Sequence, residues 1–425
     1  MFHTRNIVTA IEIGTSKMNV LVGEAGTDGR VSVIGRGSAP SAGSVVKGEI
    51  EDMELAFEQL GAAIADAESS SEGMLNSTRI VVVAVTGCRI EAFQGIGSVV
   101  VKNEGHKVTS KERLEAHENA RVLQLATGRE IINSSESYFT IDERRIRNPL
   151  NHTASKLDAY VHVVHADAAR LENFRSIVRD SGFEEATIEV AFSPLADDFG
   201  ILSEEEREHG VLLVDFGAGT TEFVVEYNSG VQASGVLQVG FDHVCNDLSL
   251  GLDLHIDVCR KMIEDKSLQK AMRERREYME FPSSTGRVRR IPLSSFEAIV
   301  DARIRETFEI IRAMASAQGA PAVLDAGGVL TGGGALFERT APLFREVFDM
   351  SCRIGQPFEA GGALTGLDTP RCSTIWGALK IAGYYNELNG GQSARGMVGS
   401  LIDAVDGVLN RTRLGWLNFR DAWKG

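Results

Sequence analysis

The stretch from Val211 to Tyr227 constrains the fold more than any other part of the chain. Val211 to Val214 is an apolar run of the kind that forms a buried strand. It ends in Asp215, and the turn Gly217-Ala218-Gly219-Thr220-Thr221 follows. Phe223 to Tyr227 then reads as the return strand of a hairpin. Glycine at such a turn lets backbone N–H groups come close to an anion. Thr220 and Thr221 add hydroxyl donors, and Asp215 at the strand tip is placed to hold a metal through water. This is the chemistry of a clamp for nucleotide phosphates, although a glycine-rich hairpin turn can exist without any ligand.

The chain repeats the pattern. Ile7 to Ile13 is an apolar-rich strand, its last residues leading into Glu12-Ile13-Gly14-Thr15-Ser16-Lys17, and Met18 to Val22 runs back out. The two units lie about half a chain apart, which implies two similar domains facing each other across one ligand. A third glycine turn follows a strand at Thr331-Gly332-Gly333-Gly334. There the backbone has room for a flat ring or an α-phosphate at the start of a helix.

The totals narrow the class. A chain of 425 residues holds two or more domains, each with its own core. A net charge of −15 argues against nucleic-acid binding through a general basic surface. Cys88, Cys245, Cys259, Cys352 and Cys372 are scattered, odd in number and without Cys-x-x-Cys spacing. That pattern fits a reducing cytoplasm and not a disulfide framework or zinc site. No apolar run is long enough to span a bilayer, and Met1 to Thr9 has no signal-peptide core, so a cytoplasmic protein is expected.

Along the chain, Asp52 reads as the N-cap of a helix through Ala67, and Arg79 to Val85 as a strand buried on both faces. From Thr86 the texture changes. Short strands at Ile90–Phe93 and Val99–Val101 lead to Thr109-x-x-Glu112, a capping box opening a helix to about Leu125. Strands at Ser137–Ile141 and Ala159–Val164 complete an α+β insertion. The expected division is residues 1–85 and 166–200 as the first α/β domain, with 86–165 inserted. Residues 201–240 and 326–388 form the second domain, and 241–325 a further subdomain. Residues 389–396 form a linker, and 397–425 an amphipathic tail. In that tail Val398, Leu401, Ile402 and Val405 recur at helical spacing, followed by Trp416, Leu417, Phe419 and Trp423 among Arg411, Arg413, Arg420 and Lys424. This is the composition of an interfacial membrane helix, with packing on the body as the alternative.

Phosphate hairpins at both domain starts, with a late Thr-Gly-Gly turn, resemble the superfamily of actin, heat-shock chaperones and sugar kinases. Within it the chain is most similar to the FtsA family of bacterial cell-division proteins. The likeness runs in order over residues 5–385. It is carried by Glu12–Glu24, Arg147-Asn148-Pro149, Ala159–His165, Gly210–Val225, Val329–Ala335 and Arg353-Ile354-Gly355, then by Thr365-Gly366-Leu367 and Ser373–Gly377.

The resemblance implies an actin-like two-domain α/β fold with an ATP cleft between duplicated domains, an FtsA-type α+β insertion and a C-terminal amphipathic helix. ATP would be held by Glu12, Gly14, Thr15, Ser16, Lys17, Asp215, Gly217, Gly219, Thr220, Thr221, Gly240, Lys261, Gly332, Gly333 and Gly334. Mg2+ would be held by Asp215 and Glu12, mainly through water. At Lys261 the family's Glu-x-x-Lys spacing is not met, because Val258 takes the acidic place. Relatives that hydrolyse ATP briskly place a Glu or Gln where this chain has Ser193, with Asp197 one helical turn later. Weak ATPase activity or none is therefore expected.

The resemblance also implies partners. An FtsZ C-terminal tail would meet Arg287, Arg290, Arg303 and Glu306, with Asp301, Arg303, Arg305 and Glu306 expected along one helix flank. Phe296, Ile299, Val300 and Phe308 would be core. Further expectations are a filament of the chain's own copies, divisome proteins at the insertion, and the inner face of the cell membrane at the division site through the tail. Two rivals stay open. A sugar kinase needs a carboxylate base beside a substrate hydroxyl, and the sequence offers no convincing one. A pilus-assembly adaptor of related fold would bind a pilus protein's N-terminal peptide instead of an FtsZ tail.

Overall fold

The computed structural model describes residues 5–26, 30–103, 105–122, 125–282, 288–357 and 366–388. The expected linker at 389–396, the tail at 397–425 with its Val398, Leu401, Ile402, Val405, Trp416, Leu417, Phe419 and Trp423, and Arg287 lie outside the described residues.

Two five-stranded sheets repeat one plan. In the first, Ile7–Ile13, Lys17–Ala25 and Val31–Pro40 form an antiparallel meander. Thr78–Val85 and then Thr187–Phe192 join parallel on the other side of Ile7–Ile13. In the second, Val211–Phe216, Thr221–Tyr227 and Gly230–Leu237 form the meander, and Gly327–Thr331 and Cys352–Ile354 join parallel. The strand orders correspond one for one. Both strands that carry an acidic tip are central, each paired antiparallel with its hairpin partner on one edge and parallel with a later strand on the other.

Along Ile7–Ile13 alternate residues serve opposite faces of the sheet. Ile7, Ile11 and Ile13 pack with Leu60, Ile64, Leu171 and Phe174 of the helices Met53–Ser70 and Ala168–Val178. Val8 and Ala10 pack with Ile375, Trp376 and Leu379. The helix Ser373–Leu388, expected within the second domain, therefore covers the first sheet. The physical reason is that a sheet flanked by helices must be covered on both faces. The helix Ser193–Ile201 contributes Ala196 to the same core, with its carbonyl against Gly377 of the closing helix.

The insertion is a four-stranded antiparallel sheet in the order Glu91–Val100, Lys156–Asp167, Arg129–Ile141, Arg144–Ile146, covered by the helix Ser110–Val122. The expected pair of short strands is one strand, Glu91–Val100. Gly95 and Gly97 let the helix approach: a Cβ on Gly97 would lie 1.9 Å from the Ala116 carbonyl oxygen. On the opposite side, His162 Nε2 meets Ser234 Oγ at 2.7 Å and Ser137 Oγ donates to the Val231 carbonyl at 2.5 Å. The insertion is thereby docked on the second domain.

The fourth unit holds the helices Asp242–Leu252, Ile256–Glu264 and Ser267–Arg273, the hairpin Tyr278–Pro282/Val288–Pro292 and the 25-residue helix Leu293–Ala317. Phe296, Val300 and Phe308 are fully buried, with Ile299 packed beside them. Among the described residues no helix is long and apolar enough to cross a membrane.

Candidate functional site

The two acid-tipped hairpins meet. The first turn is fixed by Gly14 N donating to the Lys17 carbonyl at 3.1 Å, and Ser41 Oγ donates to the Gly14 carbonyl at 2.6 Å. The second turn lies directly across, where a Cβ on Gly219 would sit 2.5 Å from Thr15 Oγ1. Glycine is required there by close approach. The third turn crosses Asp215 itself. Gly332 has φ +83°, and a Cβ on it would lie 2.0 Å from Asp215 Oδ1.

These turns enclose a cleft of about 390 Å³. Glu12, Gly14, Thr15, Ser16, Lys17, Asp215, Gly217, Gly219, Thr220, Gly332, Gly333 and Gly334 all line it. Three expected residues do not. Thr221 is fully buried and its hydroxyl donates to the Val239 carbonyl at 2.6 Å, because strand alternation turns it away from the cavity. Gly240 supports the second turn from behind, and a Cβ there would lie 2.3 Å from the Ala218 carbonyl. Lys261 is exposed on the outer face of its helix. That helix ends at Glu264, and it is Ile263, Glu264, Lys266 and Gln269 that reach the cavity wall beside Leu336 and Phe337.

The floor holds more carboxyl groups than the two expected. Glu222 is the direct partner of Asp215 across the hairpin, and it also lines the cavity. Asp197 is fully buried, and Thr374 Oγ1 joins it to Asp215, at 2.9 Å and 3.4 Å respectively. Burial, and then the charge of Glu12, pushes Asp215 up to about 6. Burial, and then the charge of Asp215, holds Asp197 and Glu222 well above the usual carboxylate range. Burial also raises Glu12, against the pull of Lys17 and of Asn19, whose amide donates to Glu12 Oε2 at 2.7 Å. Among the described residues no hydrogen-bond partner reaches the buried Asp197 Oδ2, Asp215 Oδ1 and Glu222 Oε1. A crowded acidic floor with orphaned oxygens is suited to a hydrated cation, which would supply the missing charge and donors. Among the described residues no group of three or more His, Cys, Asp or Glu is arranged to grip a metal directly. Water-mediated holding by Asp215 and Glu12 fits that arrangement. Ser193 also lines the cavity and accepts from Thr86 Oγ1 at 3.1 Å.

Away from the cleft the expected peptide-binding arginines are already engaged. Arg303 donates to both oxygens of Asp247, at 2.5 and 3.1 Å, and to Glu306 at 2.6 Å. Arg290 pairs with Glu280 at 2.9 Å across its exposed hairpin. The expected single flank divides in two. Asp301 and Arg305, four apart, face Arg339 and Glu346, whereas Arg303 turns toward Asp247 on the helix Asp242–Leu252.

Comparison with known proteins agrees in both sequence and fold. The profile described as "Cell division protein FtsA" matches residues 212–377, and that described as "SHS2 domain inserted in FTSA" matches residues 87–165. The cell division protein FtsA of Neisseria meningitidis serogroup B is 28% identical over 386 residues, covering 90% of this chain and 91% of that protein. FtsA of Escherichia coli K12 is 28% identical over 396 residues, covering 91% and 92%. Among solved structures, a chain of the PilM–PilN type IV pilus biogenesis complex superposes with a TM-score of 0.58 at 15% identity, covering 88% of this chain and 98% of that one. MreB 5 of Spiroplasma citri bound to AMPPNP superposes at 0.50 and 14%, covering 91% and 99%. The fold is the actin-like one with an inserted SHS2 domain, and the chain belongs to the FtsA family of cell-division proteins.

Proposed function

We propose that this chain is an ATP-binding, filament-forming adaptor of bacterial cell division, which tethers FtsZ to the inner face of the cytoplasmic membrane. The observation that carries the nucleotide reading is the closure of two mirrored acid-tipped turns on each other, Gly219 against Thr15, under a third glycine turn. Lys17 and the N–H groups of Gly14 to Ser16 and Gly217 to Thr220 would hold phosphate oxygens. Mg2+ would be held through water by Asp215 and Glu12, and would neutralise the charge shared by phosphates and floor. The apolar wall of Phe241, Ile263, Leu336 and Phe337 suits a flat base, with Glu264 and Lys266 near the ribose. The AMPPNP bound to MreB 5 of the same fold supports this reading.

Hydrolysis would be weak. Ser193 supplies no carboxylate, and the buried Asp197 is tied to Thr374. Glu222, Asp242 and Glu264 are further carboxylates lining the cavity, of which Glu222 sits directly across the hairpin from Asp215. Binding to an FtsZ tail at the Arg290 and Arg303 face, divisome contacts through the insertion, and membrane anchoring through residues 397–425 follow from the family. Titration calorimetry with ATP and Mg2+, together with phosphate release, tests the cleft. Micromolar or tighter binding is expected. Turnover faster than about one per second, within the usual enzyme range, would refute the claim of weak hydrolysis.

A further inference from the structure

The short hairpin formed by Val45–Val46 and Glu49–Ile50 is placed between the cleft and the neck of the insertion. On one side it is fastened to the first phosphate turn. Gly48 N donates to Thr15 Oγ1 at 3.1 Å, and just ahead of the hairpin Ser41 N donates to the Ser16 carbonyl at 3.1 Å. On its other side Glu49 holds both chain segments of the neck, the turn at Arg89 and the start of the helix Ala168–Val178. One carboxylate oxygen accepts from the Arg89 backbone N–H at 3.3 Å, where the chain enters the insertion. The other pairs with Arg170 at 2.8 Å, just after the chain has left it.

The contact has no slack. A Cβ on Gly48 would lie 2.9 Å from Gly87 N, and one on Gly87 would lie 2.1 Å from the Gly48 carbonyl oxygen. Any shift of the hairpin must therefore move Gly87. The next two residues, Cys88 and Arg89, both hold positive φ, at 61° and 48°. Non-glycine residues in that region persist only where their surroundings impose it. Cys88 is held by its carbonyl accepting from Asp167 N at 2.8 Å, and Arg89 by its carbonyl accepting from Arg129 Nη2 at 2.7 Å. The neck is a strained joint braced from the hairpin.

We propose that this hairpin is a strap coupling occupancy of the phosphate cleft to the setting of the inserted subdomain, with Thr15 as its input and Glu49 as its output. The proposal rests on the nucleotide reading of the cleft. A phosphate that accepts from the Thr15 hydroxyl fixes its rotamer, and the same oxygen anchors Gly48. Closure of the second turn presses Gly219 on Thr15 and acts in the same direction. The bound state thus tightens the strap and holds the neck in one setting, while the empty state releases it. The coupling is reciprocal, so a partner that grips the insertion in that setting raises affinity for the nucleotide by the same factor.

Hydrogen exchange of the full chain, with and without ATP and Mg2+, tests this. In the parent protein ATP should slow exchange in the turns 12–19 and 215–222. It should also slow the neck, residues 86–91 and 165–170, by about fivefold or more. Glu49→Gln, which lies outside the cleft lining, should keep the protection of the turns and lower ATP affinity by no more than the lost coupling factor, but lose protection of the neck. Arg170→Gln should do the same while leaving the bond to Arg89 in place. Protection of the turns without the neck in the parent overturns the strap alone, whatever the variants' stability. Unchanged neck protection in a folded Glu49→Gln variant also overturns it. No protection anywhere overturns the nucleotide reading and the strap together.

Discussion

Lowering the pH from 7 to 5 should loosen the insertion from the second domain, and one residue should account for the change. His162 is 1% exposed, and its Nε2 meets Ser234 Oγ at 2.7 Å across the interface. Burial pushes its pKa down from 6.5 to about 4. A histidine held neutral in the docked state contributes stability that is complete above pH 6.5. That contribution is lost progressively as pH falls from 6.5 toward 4. The full span is about 3 kcal/mol at 1.36 kcal/mol per pH unit, and the part falling between pH 7 and pH 5 is about 2 kcal/mol. The free energy of undocking can be read from hydrogen exchange in the strands Lys156–Asp167 and Gly230–Leu237, corrected for intrinsic rates at each pH. The parent should lose about 2 kcal/mol of protection from pH 7 to 5. His162→Gln, which retains a side chain able to bond Ser234, should lose much less. Equal pH dependence in the two proteins, within about 0.5 kcal/mol, would refute the assignment to His162.

Gly219→Ala should weaken ATP binding about tenfold or more by calorimetry. Its methyl group meets three atoms of Thr15 within 3.0 Å, and overpacking of this kind costs about 1–3 kcal/mol in the closed cleft; affinity within threefold of the parent would contradict it. Arg290→Glu, on a residue whose ion pair is exposed, should reduce FtsZ-tail affinity about tenfold in fluorescence anisotropy without altering the melting temperature. Arg303→Glu should lower the melting temperature as well, because it sets a third carboxylate beside Asp247 and Glu306; an unchanged melt would show that the triad is not structural. Deleting residues 397–425 should release the protein from anionic vesicles in cosedimentation while preserving its melt. A single such anchor binds marginally and an array of them tightly, so ATP-dependent assembly should strengthen pelleting of the full chain.

The sequence by itself determined the local devices. The acidic strand tips, the glycine turns and the caps at Asp52 and Asp167 are decided within a few residues, by alternation and by the backbone freedom of glycine. The duplication was legible for the same reason, since each half carries a complete strand–turn–strand signal. Glu222 was also within reach, because in a tight hairpin the register sets it opposite Asp215. Tertiary structure alone decided what depends on residues far apart in the chain. Thr374 joins Asp197 to Asp215, and Trp376 covers the first sheet, because a sheet needs cover on both faces and the closing helix supplies it. The same holds where sequence reading went astray. Glu91–Val100 looks like two short strands until a helix lies on Gly95 and Gly97, and Arg303 looks free until Asp247 arrives from another helix. Periodicity reports which face a side chain takes, but only packing reports what meets it there.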